Sequence, residues 1–143
     1  MSFKSALIGR VHALHWLAAP DARDVATLDR EIPAARHQAG ALLINLTVVP
    51  DRVGIPDGPT RKQIFKQRHL WMDNVEAVNV VILATGFQAT LVRSVITELT
   101  LAMRSRFVAV FSTVDVAIQR IATKVGENPR GLRHRLDQAG ITG

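Results

Sequence analysis

The stretch from Val75 to Ser112, VEAVNVVILATGFQATLVRSVITELTLAMRSRFVAVFS, constrains the fold more than any other part of the chain. Val78, Val80, Val81, Ile82 and Leu83 form a short β-branched run, too apolar on both sides for a solvent-facing strand. Thr85-Gly86 punctuates it. Leu91, Val92, Val95, Ile96, Leu99, Ala102 and Met103 then recur at helical spacing, with Arg93, Thr97 and Arg104 between them. Ser105-Arg106 is expected to end that helix, and Phe107 to Phe111 reads as a second buried strand. A strand, helix, strand crossover returns parallel and right-handed, so this stretch is the nucleus of an α/β domain. Leu99, central in the stripe, is expected to be buried between helix and sheet.

The flanking chain extends the pattern. Phe3 to Ile8 and Arg10 to Ala18 read as two strands around Gly9, with His12, Leu14 and Trp16 on one face and Val11, Ala13, His15 and Leu17 on the other. Asp21 is placed to cap a helix whose buried stripe is Val25, Leu28, Ile32 and Ala35, with a kink or restart expected at Pro33. Ala41 to Val49 is a buried strand, and Pro50 to Pro59 is a loop rich in Pro, Gly and Asp. A helix from Thr60 to about Met72 follows, with Pro59 suited to its start. Beyond the nucleus, Ser112 or Thr113 caps a last long helix, broken at Gly126 to Pro129, and Leu132 to Ala139 adds a turn or two. The expected architecture is a single mixed, mostly parallel sheet of about five strands with four or five helices. Residues 1–125 form that domain, and 126–143 a basic C-terminal extension.

Composition narrows the function. With 143 residues, 48% hydrophobic and 21% charged, the chain suits one ordinary globular domain. Its apolar runs are far short of the roughly 20 residues that span a bilayer, and its N-terminus makes a poor signal peptide, so a cytoplasmic protein of bacterial type is expected. Zero cysteines exclude disulfides and thiolate chemistry. Of the net charge of +6, four units fall after residue 84, where eight Lys/Arg meet four Asp/Glu. Arg130, Arg133 and Arg135 therefore suggest weak, nonspecific nucleic-acid binding, against the plainer reading of a solvated basic helix.

No residue cluster declares an enzyme. His12 and His15 point to opposite strand faces, and His37, His69 and His134 lie on separate elements, so no metal site is expected. Asp21 and Asp24 are explained as helix-start residues. Gly54 and Gly58 make no P-loop, and Ser94 has no nucleophile-elbow context. Trp16 and Trp71 are expected in the core. The sharper candidate is an edge. Three strand-to-helix junctions, Thr47 to Thr60, Thr85-Gly86 and Ser112-Thr113, should open on the same edge of the sheet, at the carboxyl ends of its strands, where ligands of open α/β sheets bind. Arg61 and Lys62 lie in a first helical turn, where the dipole disfavours cations, so an anion nearby is expected.

This order of elements, and VAVFSTVDVAIQRI in particular, resembles the STAS family, the domain shared by anti-sigma-factor antagonists and sulfate transporters. The likeness covers roughly Leu7 to Ala122. The family's phosphorylatable Asp-Ser-Ser-Gly stretch, expected after ALLINLTVV, is replaced by DRVGIPDGPTRK, which leaves Thr60 as the nearest candidate phosphosite. The resemblance implies a non-catalytic regulatory domain without cofactor. It would act by binding another protein, such as a kinase, an anti-sigma factor or another signalling partner, under control of phosphate or a nucleotide. Self-association is compatible with it. The alternative is a module that binds a small anionic ligand at the edge formed by Thr60, Arg61, Lys62, Thr85, Gly86, Ser112 and Thr113.

Overall fold

The computed structural model describes residues 1–103 and 107–143. Ser105-Arg106, the expected end of the crossover helix, lies outside the described residues. Five strands, β1 (Phe3–Ile8), β2 (Val11–Trp16), β3 (Leu43–Val49), β4 (Val75–Ile82) and β5 (Val108–Phe111), form one sheet in the order β1-β2-β3-β4-β5. β1 and β2 are an antiparallel hairpin about Gly9, which turns at φ 59°; the other pairings are parallel. The mixed, mostly parallel α/β architecture expected from the pattern is the one observed.

Alternation along the strands divides the core into two layers. Leu14, Trp16, Leu43, Val49, Val80 and Ile82 face one side, and Val11, Ala13, Ile44, Leu46, Val48 and Val81 the other. Val75 joins the first face although it is an odd number of residues from Val80. A register shift between Leu43 and Ile44 explains this, because Glu76 is an extra residue in β4 and resets the alternation.

Helices α1 (Ala22–Ala39), α2 (Gly58–Lys66), α3 (Arg68–Asn74) and α4 (Gly86–Leu101) cover the first face; α5 (Val114–Val125) and α6 (Pro129–Gln138) cover the second. Asp21 caps α1 in a reciprocal box: it accepts from the Asp24 N–H at 3.0 Å while the Asp24 carboxylate accepts from the Asp21 N–H at 2.9 Å. Burial alone would raise the Asp24 pKa, but the Ser2 and Asp21 N–H groups donate to it and hold it below the usual value. Asp24 thereby ties the N-terminal strand to α1.

Several expected boundaries move. α1 runs through Pro33 without a break. The segment expected as one helix from Thr60 to Met72 is two, α2 and α3, divided at Gln67, and it starts two residues earlier, where Asp57 supplies the cap. β4 begins at Val75 and α4 at Gly86, whose φ of 65° suits glycine. Among the described residues the helices number six because the one helix expected from Thr60 to Met72 is divided in two. The C-terminal stretch is not an extension: Leu132, Leu136 and Ile141 are fully buried in the second core layer.

Candidate functional site: an apolar cavity under α4

Helix α4 does not sit down on the sheet. Its stripe residues Val95, Ile96 and Leu99 are only half-buried, and Val92 alone on this helix is buried. The burial expected of Leu99 is therefore corrected. The reason is a cavity of about 180 Å³ between α4 and the first face, lined by Leu99 itself. Its floor is Leu14, Trp16, Thr47, Val49, Val80 and Val108 from the four parallel strands. Val25 and Leu28 of α1, with Trp71 of α3, form one wall, and Val53 to Pro56 of the loop after β3 form a lip. In that loop Arg52 takes a left-handed conformation, φ 71°, which turns the chain so that Val53 is buried. The Gln88 side chain of α4 donates to the Val53 carbonyl and links helix to lip.

Among the described residues no charged side chain lines the cavity, and its polar members Gln67, Trp71 and Thr47 are already engaged. Gln67 donates through Nε2 to the Val25 carbonyl at 2.9 Å and to Asp29 at 2.8 Å, and accepts from Trp71 Nε1 at 3.0 Å. Thr47 ends a chain of hydrogen bonds through the core. Its hydroxyl meets Asn45 Oδ1 at 2.6 Å, and Asn45 Nδ2 lies 3.1 Å from His12 Nδ1. His12 Nε2 is 2.9 Å from Glu31, which also accepts from the Ser5 hydroxyl. The bond from His12 is the main reason the Glu31 carboxyl sits below its usual pKa, with Ser5 adding to it and burial opposing. Sequence reasoning missed this chain. The available signal was Asn45 and Thr47, two polar residues on one face of an otherwise apolar strand.

The residues expected at the anion edge are placed as follows. Thr60, Thr85-Gly86 and Ser112-Thr113 follow the carboxyl ends of β3, β4 and β5, so they share an edge of the sheet, but none lines the cavity. Thr113 caps α5 by accepting from the Val116 N–H at 3.4 Å, whereas the Thr85 side chain makes no cap bond. Thr60 is buried, with its N–H on Asp57 Oδ1 at 2.8 Å. A kinase would have to open the start of α2 to reach it. Asp57 stands one turn before Arg61: bonds from Thr60, then the nearby Arg61 charge, lower its pKa. Arg61 is half-buried and Lys62 exposed.

Two of the three tail arginines are also committed. Arg133 pairs with Asp115 and Asp137, and Arg135 with Glu127. His12 and His15 do face opposite ways, His15 Nδ1 donating to the Ile141 carbonyl at 2.8 Å. Among the described residues no three His, Asp or Glu side chains converge as a metal site would require, and no helix is long and apolar enough to cross a membrane. Fold and cavity together define a mixed-sheet α/β protein with an apolar internal pocket. Comparison with family models, curated proteins and solved structures found no match.

Proposed function

We propose that this chain is a non-catalytic regulatory domain that binds a small molecule in the cavity under α4 and presents the result to a protein partner. The observation that carries the reading is the cavity. Natural interiors are packed nearly as densely as crystals, with few voids larger than a water. Side chains around a half-open apolar space of about 180 Å³ lack the neighbours that a packed core would give them. An occupant would restore those contacts and seat α4 on the sheet. The partner-binding half is supported by Phe87 and Leu101, which expose 77% and 82% of their surface on α4. The STAS-like, anti-sigma-factor-antagonist-like reading belongs to the same proposal, supported by the order of elements, and so does a bacterial cytoplasmic setting. The small-molecule reading places an uncharged ligand under α4 in preference to an anion at the edge, because the described lining is apolar.

The test uses the chain's only two tryptophans, Trp16 and Trp71, since both line the cavity. Toluene should change their fluorescence and raise the melting temperature, by an amount set by mass action. Val95→Phe should fill the space and abolish both effects while keeping the far-ultraviolet circular dichroism. Should that variant unfold, nuclear Overhauser contacts between toluene and the methyl groups of Val92, Val95 and Leu99 decide instead. Unchanged fluorescence and melting, with no such contacts, would reject the reading.

A further inference from the structure

The hydrogen-bond chain that ends at Thr47 specifies the ligand's polarity; this step rests on the cavity being a binding site. Asn45 Nδ2 lies 3.2 Å from the His12 carbonyl, which can only accept. The amide is thereby oriented, and Oδ1 faces the Thr47 hydroxyl at 2.6 Å. An amide oxygen also only accepts, so Thr47 gives it its single proton. The second proton on Asn45 Nδ2 goes to His12 Nδ1, which places the imidazole proton on Nε2, directed to Glu31. Every proton of the chain points away from the cavity. What Thr47 retains on its oxygen is lone pairs.

Gln67 offers no substitute, since its amide protons and oxygen are held by α1 and Trp71. Among the described residues no cation lines the space to receive an anion. Size gives the other bound. An apolar cavity of about 150 Å³ takes up benzene, and this one measures about 180 Å³.

We propose that the ligand is a neutral, largely apolar molecule, about one aromatic ring in size, with one O–H or N–H donor that Thr47 Oγ1 accepts. Acceptor-only groups, carboxylates above all, are refused. A carboxylate would set lone pairs against lone pairs at Thr47 and leave its own charge poorly solvated among apolar side chains. A phenol or indole-like donor meets the acceptor it needs.

Titrations of toluene, p-cresol and p-toluate, followed by tryptophan fluorescence and calorimetry, test this on the full chain. Toluene and p-cresol bind and p-toluate does not. Thr47→Val weakens p-cresol about tenfold and toluene by less than about twofold, the difference being one hydrogen bond to a half-buried hydroxyl. Thr47→Ser, which keeps the oxygen, retains the preference and guards against a variant that merely packs badly. Binding of p-toluate as tight as that of p-cresol overturns the proposal, as does a Thr47→Val effect equal on toluene and p-cresol. If toluene itself fails to bind, the cavity reading falls, and this proposal with it.

Discussion

Glu31 shows how one partly buried carboxylate couples the sheet to α1. It accepts from Ser5 on β1 and from His12 on β2, and so holds three elements together. Its native pKa is lowered from the ordinary 4.5, chiefly by the His12 bond. Between the native and the unfolded value the unfolded state binds more protons, so stability falls as the pH falls. The contribution is fully present above about 4.5 and is lost as the pH drops through the lower native value. Glu31→Gln should therefore destabilise the protein at pH 7 by about 1 kcal/mol, a charge-assisted bond discounted for partial exposure. The gap between wild type and variant should close in urea melts taken at progressively lower pH. A gap independent of pH would mean that the carboxylate acts only through its shape. The same bond keeps His12 positioned for Asn45, so Glu31→Gln should also shift the Asn45 side-chain amide resonances.

Helix α4 is the element whose packing departs most from its sequence, and its own residues show how. Leu91, Val95 and Leu99 have the spacing of a helix that packs on a sheet, yet they stop short of it. A fully packed Leu99 changed to Ala would cost about 2–5 kcal/mol. At a cavity wall the loss should be about 1 kcal/mol, because few neighbours remain to be lost. Leu99→Phe reverses the usual rule: overpacking a filled core costs about 1–3 kcal/mol, whereas here the larger ring enters existing space. It should be neutral or stabilise by about 0.5–2 kcal/mol, read from urea midpoints at constant slope. A loss above about 1 kcal/mol would show that α4 already packs tightly. What the sequence made legible were features settled locally: the β-branched runs of β3 and β4, the Asp21 cap, and the opposed faces of His12 and His15. The cavity was not legible, because a void is set by how far apart four strands and four helices come to rest. Nor was the role of Asp57, which depended on α2 starting at Gly58 instead of Thr60. The anion edge was inferred from Arg61 and Lys62, and the charge of Arg61 acts on Asp57 upstream.

At the scale of the whole molecule, the last eighteen residues decide whether the fold closes. Their charge suggested an extension that drifts toward nucleic acid, but their apolar positions seal the second face of the sheet. Leu132, Leu136 and Ile141 are each 0% exposed, and the Ile141 carbonyl accepts from His15 on β2. Burying such side chains is worth about 1.5–3 kcal/mol each. Together that is comparable to the entire stability of about 5–15 kcal/mol typical of a small domain. A chain ending at residue 125 should therefore lose its cooperative urea transition, whereas Leu136→Ala alone should cost about 2–5 kcal/mol and remain folded. The charges give an independent check. Because Arg133 and Arg135 are paired with Asp115, Asp137 and Glu127, few cations on this helix are available to release counterions from a phosphate backbone. Any affinity for DNA should be weak, with a shallow dependence on salt, and Asp115→Asn/Asp137→Asn should steepen it by freeing Arg133. A truncated chain that still melts within about 1 kcal/mol of the full one would return these residues to the status of an appendage. A steep salt slope in the wild type would return them to nucleic acid.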